Sequence, residues 1–303
     1  MPRKTHSYLL LLAPIVVLLV ILPVLPHFYV FLFCTAYIFG MFALSLDFLM
    51  GYGGMPNFGQ AVFFGLGAYV VTMAQIWWHV PPILSVIFPY AFVIPLSFAL
   101  ARVSVRGGGI YFALITIIWG DITYRTFFYE WTLGGSDGLR GATTFPLREY
   151  YIIILIATVV CYVLIRKIAD SQFGMVLRAI RENETRMRFV GCKVENYRMS
   201  AFVISSCFAT FAGSLYPGLY GGARPELLHW ALSTLAVTMV IVGGLGSLVG
   251  ALIGGFIITF LIEWSTSYLP MGGGYTIAGL ILVATLLFMP KGIYPTIKRI
   301  WRS

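Results

Sequence analysis

Only one carboxylate sits well inside a long apolar run: Asp121, in Thr116-Ile-Ile-Trp-Gly-Asp121. Asp47 and Glu263 lie nearer the ends of such runs. An ionisable group at mid-bilayer costs about 2.5–3.5 kcal/mol on an insertion scale, so it marks either a passage or a structural pairing. Asn57, Gln60, Tyr111 and Thr116 are milder polar candidates for lining the same passage. Proton-driven carriers rely on chains of intramembrane acids, histidines or bases. This chain offers one central acid and no histidine within a run. No catalytic constellation is recognised: His-Glu-x-x-His and Cys-x-x-Cys are both missing. Cys34, Cys161, Cys192 and Cys207 have no metal-ligand spacing, so neither a metal nor disulfides are expected. There is also no Gly-x-x-x-x-Gly-Lys-Ser/Thr loop, so no bound cofactor is expected. If transport is ATP-driven, ATP–Mg belongs to a separate chain.

The elements that position these groups follow from composition. Of 303 residues, 59% are hydrophobic and 10% charged, with a mean hydropathy of +0.90. Soluble domains carry about 25% charged residues. Eleven acids and twenty bases cannot cover a 33.7 kDa globule, which excludes a soluble enzyme, a nucleic-acid reader and a disordered chain. The fold class is an all-α polytopic integral membrane protein, read as a single transmembrane domain over 1–303 with one cytoplasmic loop at 166–198.

A spanning helix needs about 20 mostly apolar residues. Ten runs qualify: 8–26, 28–49, 58–78, 82–101, 110–129, 150–166, 199–219, 231–244, 248–268 and 275–290. The eighth is short, and merging it with the ninth gives nine spans. Ten spans with both termini cytoplasmic put Arg3, Lys4, Arg102, Arg106, the bases of 166–198 and the C-terminal Lys291, Lys298, Arg299 and Arg302 inside. Only Arg125, Arg140, Arg148 and Arg224 then lie outside or near the outer face. The positive-inside rule therefore favours ten, and it accounts for the net charge of +9 without nucleic acid. The first run, without a small-residue cleavage site, reads as an uncleaved span.

Three glycine-rich places interrupt these runs, at 51–59, 106–112 and 243–255. Irregular backbone at membrane depth survives where it is buried in protein or lines a wet cavity, and broken helices can aim free N–H or C=O groups at a solute. The first two places read equally as such breaks or as surface loops. In the third, Gly246, Gly250 and Gly254 recur every four residues and are expected to form one helix face, a seam for close helix packing.

The loop 166–198 holds eight bases and four acids. Asp170-Ser171 offers an N-cap and Gly191 a stop, which predicts one helix between them. Phe173, Val176, Leu177 and Ile180 form an apolar stripe, with Glu182 and Arg186 four apart on another face. Such a helix can lie on anionic membrane lipid or dock into a groove on a partner, and its mixed charge leans toward the partner.

Here a family resemblance becomes specific. Asp170-Ser-Gln-Phe-Gly-Met-Val-Leu-Arg-Ala-Ile-Arg-Glu-Asn-Glu184 resembles the coupling loop of ABC-importer permeases for branched-chain amino acids. In order along the chain, 51–69, Gly109-Ile-Tyr-Phe-Ala-Leu-Ile-Thr116, Gly134-Gly-Ser-Asp-Gly-Leu139 and 242–250 are similar to further family signatures, the middle two to the M-type (LivM-like) subunit. The resemblance spans about residues 40–290. It implies a permease subunit in a prokaryotic plasma (inner) membrane, partnered by a paralogous permease, two ABC ATPase subunits and an external solute-binding protein. It also implies that Arg178, Ala179, Arg181, Glu182, Asn183 and Glu184 sit at the ATPase contact. Gly54-Met-Pro-Asn-Phe-Gly-Gln60 departs from the family's usual Gly-Gln-x-Ser-Leu-Gly-His, so urea or short amides stand as alternative cargo. A self-contained secondary carrier or amide channel is the rival of another class.

Overall fold

The computed structural model describes residues 26–107, 109–266 and 273–300, and is mostly helical. The run at 8–26, both chain ends, and the connection at 267–272 lie outside the described residues. The other nine runs are helices. These are α1 (His27–Asp47), α2 (Gln60–Trp78), α4 (Phe88–Ser104), α5 (Gly109–Tyr129), α6 (Leu147–Ala169), α9 (Val194–Tyr220), α10 (Trp230–Gly243), α11 (Leu248–Thr266) and α12 (Gly273–Phe288). Short helices fill in: α3 (Pro82–Ser85), α7 (Gln172–Glu182), α8 (Glu184–Phe189) and α13 (Ile293–Ile300).

Seven described segments are long and apolar enough to cross a membrane. They are His27–Tyr52, Gln60–Trp78, Pro82–Ser104, Leu147–Ala169, Val194–Tyr220, Leu248–Ser265 and Thr276–Arg299. Seven of the ten expected spans thus meet this criterion among the described residues, and the first run lies outside them. α5 falls short because Asp121 and Arg125 dilute its apolar run, and α10 has 14 residues.

The core forms around α1, α2 and α9. Nearly all of α1 from Cys34 onward is buried, as is α2 from Gln60 to Thr72. Close approach of backbones makes this possible. A Cβ on Gly213 of α9 would lie 1.9 Å from the Phe64 carbonyl oxygen of α2, and one on Gly67 would lie 2.4 Å from the Thr210 oxygen. Small residues at such crossings bring the helix axes together. Edge-to-face rings fill the adjacent space, with Tyr37 and Phe256 4.6 Å apart and Tyr69 and Phe127 4.7 Å apart. Outward, α5 exposes Ile110, Leu114, Ile118 and Ile122 on one face, and α12 exposes Leu280, Val283 and Leu287. These apolar faces suit a hydrocarbon surrounding, since the helix has already satisfied the backbone groups beneath them.

The segment between α5 and α6 is strapped down. Its strand β1 (Leu139–Arg140) pairs antiparallel with β2 (Gly222–Ala223) just after α9. Gly138, at φ +72°, permits the turn, and any Cβ there would meet the Ala223 oxygen at 2.2 Å. Further along, Gly141 and Ala142 donate to the Gly221 oxygen, and Thr143 N–H to Gln75 Oε1 at 2.9 Å.

Candidate translocation and coupling site

The first glycine-rich stretch is a helix break. α1 ends at Asp47, a π-type turn covers Phe48–Tyr52, and α2 starts only at Gln60. A new helix start exposes N–H groups that need partners. Here they find side chains from several helices. Gly59 N–H donates to Asn57 Oδ1 at 2.9 Å, Phe58 N–H to Thr116 Oγ1 at 3.2 Å, and Ala61 N–H to Ser233 Oγ at 2.8 Å. Gln60 Nε2 donates to Ser45 Oγ (3.1 Å), Ser205 Oγ (2.9 Å) and the Ser205 carbonyl (3.2 Å), while its Oε1 accepts from Asn57 Nδ2 at 2.6 Å. Asn57, Gln60, Ser45, Ser205 and Ser233 are fully buried, and Thr116 nearly so. The cluster is uncharged and bonded within itself.

Of the passage candidates, the structure brings Asn57, Gln60 and Thr116 together. It sets the other two apart. Tyr111 is 70% exposed on the outer face of α5. Asp121 carries an ion pair with Arg125, its neighbour one turn on, with Nε–Oδ2 at 2.7 Å. Ser45, Ser205 and Ser233 were not foreseen, because a serine in an apolar run carries no sign of its distant partner.

The segment at 166–198 differs from the single expected helix. α7 stops at Glu182, and Asn183 adopts extended backbone (φ −157°, ψ 95°). Its Oδ1 then accepts from Arg186 N–H at 2.9 Å and caps α8, as short polar side chains do at helix starts. Glu182 and Arg186 therefore lie in different helices rather than one turn apart. Glu184 pairs instead, with Arg188 at 2.9 Å and Arg198 at 2.8 Å. Burial raises the Glu184 pKa, but the hydrogen bonds and charges of Arg188 and Arg198 outweigh it and hold the carboxyl below its ordinary range. Ser171 occupies the N-cap position without capping; its hydroxyl donates to the Ile168 carbonyl.

The stripe faces inward as its spacing requires, with Leu177 and Ile180 buried and Phe173 and Val176 partly so. Two of the expected contact residues turn back onto this chain. Arg178 donates to the Ala169 carbonyl at 3.0 Å and lies over the Tyr52 ring at 5.3 Å. Arg181 donates to the Gly51 carbonyl through Nη1. Ala179 and Glu184 are half-buried, while Glu182 and Asn183 are exposed, as are Met175 and, at the end of α8, Phe189 and Val190.

In the third glycine-rich stretch, Gly250 and Gly254 lie on α11 against α10. Added Cβ atoms would meet the Gly243 oxygen at 2.5 Å and the Met239 oxygen at 1.9 Å. Gly246 does not belong to that helix face. It lies in the turn before α11 at φ +76°, where its N–H donates to Asp47 Oδ1 at 2.7 Å. A repeat of four implies one face only where the helix has already begun.

Broken and closely packed apolar helices around a buried polar cluster fit a polytopic α-helical membrane protein. Residues 28–289 match the family described as the branched-chain amino acid transport system / permease component, and the chain belongs to that family. Among relatives, it is 23% identical to the high-affinity branched-chain amino acid transport permease LivM of Escherichia coli, over 85% of this chain and 68% of that protein. In Methanocaldococcus jannaschii it is 28% identical to a probable LivH permease (84% and 87% covered) and 24% identical to a probable LivM permease (85% and 91% covered). The LivM-like resemblance fits these matches. No solved structure matches the chain.

Proposed function

We propose that this chain is the transmembrane permease subunit of an ATP-driven importer, carrying branched-chain or related amino acids delivered by an external solute-binding protein. It pairs with a paralogous permease, and two ABC ATPase subunits bind its cytoplasmic side and hold ATP–Mg. The observation that carries this reading is the family match across 28–289, which includes the break and the α7–α8 segment.

Two features support it. Glu182, Asn183, Met175, Phe189 and Val190 present polar and apolar surface on one cytoplasmic segment, as helix-in-groove docking requires. The cluster around Asn57, Gln60 and Thr116 offers amide and hydroxyl groups, which hydrogen-bond an ammonium and a carboxylate alike. Opening α1 against α2 and α9 would expose these groups to a solute.

The test is to tag the chain, extract it in mild detergent from its native cell, and identify what co-purifies. A stoichiometric P-loop ATPase and a second permease, followed by ATP-dependent uptake of leucine, isoleucine or valine in proteoliposomes, is the expected result. A homogeneous homo-oligomer that transports without ATP overturns the reading.

A further inference from the structure

Asp47 is the last residue of α1 and is fully buried. Its Oδ1 accepts the Gly246 N–H at 2.7 Å, while Oδ2 has no hydrogen-bond partner among the described residues. A buried carboxylate with one oxygen unsatisfied is costly, so its surroundings must compensate. A positive charge nearby, not paired directly with Asp47, comes from α7. Arg181 of α7 reaches the Gly51 carbonyl inside the π-type turn. The groups are crowded: a Cβ on Gly51 would stand 2.5 Å from both Asp47 Oδ1 and Gly246 N, and one on Gly246 would stand 3.7 Å from Arg181 Nη1. At Gly54 (φ +67°) a Cβ would lie 2.8 Å from Arg181 Cγ. α7, the end of α1 and the turn before α11 thus meet at one point.

We infer that Asp47 is a positioning residue that transmits movement of α7 to α11 as well as to α1. The inference rests on the importer reading above. The Arg181–Gly51 bond ties α7 to the π-type turn, and Asp47 ties that turn to Gly246. Pushing α7 either carries both elements or breaks the bond between Arg181 and the Gly51 carbonyl. Coupling between sites requires that such a knot take two discrete arrangements. π-type turns recur at functional positions because the helix can shift register there.

The test compares wild type, Asp47→Asn, Arg181→Gln and the double variant, each assembled with the co-purified ATPases and permease in proteoliposomes. Asp47→Asn keeps the shape and the acceptor for Gly246 but removes the charge. The readout is uptake per ATP hydrolysed at matched assembly and hydrolysis rate, a ratio that a purely structural role leaves unchanged. Each single variant is expected to lower it by about five-fold or more, the low end of coupling between sites. The double variant is expected to be no worse than the more severe single one, because both act through one knot. Wild-type ratios in Arg181→Gln overturn the inference even if Asp47→Asn fails to assemble, and so do multiplicative losses in the double variant. A wild-type complex without ATP-dependent uptake overturns the importer reading, and this inference falls with it. Wild-type uptake with unaffected variants overturns the inference alone.

Discussion

Gln60 at the start of α2 hydrogen-bonds Ser205 in the first half of α9, with Nε2 2.9 Å from the hydroxyl and 3.2 Å from the carbonyl. That side chain joins the break to the helix that packs along α2. Gln60→Leu removes four hydrogen bonds from a fully buried site and leaves Asn57, Ser45 and Ser205 without this partner. At about 0.6 kcal/mol for each polar contact between membrane helices, the loss is roughly 2 kcal/mol. Thermal unfolding in detergent should show a clear fall in Tm; an unchanged Tm would mean that the cluster contributes nothing to stability.

The α2–α9 crossing makes a second prediction. Gly213→Ala drives a methyl into the Phe64 carbonyl and forces the helices apart, at about 1–3 kcal/mol for an overpacked site. Gly279→Ala on α12 is the control, since nothing lies within 4 Å of its Cβ, and helix propensity alone should leave it neutral or slightly stabilising. Equal effects at the two positions would refute the crossing as a constraint.

The Glu184 carboxylate gives a pH dependence. Its folded pKa lies below the ordinary 4.5, so the unfolded chain binds the proton more readily. The contribution is present in full above the unfolded value and is lost as pH falls through the folded one. Hydrogen exchange of residues 184–198 should quicken more in wild type than in Glu184→Gln when pH drops from about 6 to about 4, after correction for intrinsic rates. Parallel behaviour in both proteins would count against the pairing with Arg188 and Arg198.

Arg178 and Glu182 separate two roles within α7. Arg178→Ala loses the bond to the Ala169 carbonyl and the contact over Tyr52, so α7 itself should loosen and its amides should exchange faster. Glu182 is exposed, so Glu182→Ala should leave exchange in α7 unchanged while weakening ATPase co-purification. The reverse pattern would exchange the two assignments.

The sequence displayed the helices because apolar runs carry their own signature, and nine of the ten runs are helical where the chain is described. The break at 51–59 was legible through glycine and proline. Tertiary pairing was not. Nothing near Ser205 or Ser233 in the chain indicates the groups they satisfy, 145 and 172 residues away in Gln60 and Ala61. The division at Asn183 escaped notice because asparagine is only mildly unfavourable inside a helix, and its capping of Arg186 decides the matter locally. Asp47 drew attention as a charge near a run end, yet its partner Gly246 is 199 residues distant and stood disguised in a repeat of four.

The ribbon of β1 and β2 has a practical bearing on how this protein can be altered. Residues 139–145 look like the most permissive stretch for a tag or a label, being a connection between helices rich in small residues. They are instead fastened by main-chain bonds to the end of α9 and by Thr143 to Gln75 at the end of α2. An added residue there shifts the register of a pairing in which both Gly138 and Gly222 lack room for a single methyl. Probes placed on this connection would thus report on, and disturb, the two helices that carry the buried polar cluster.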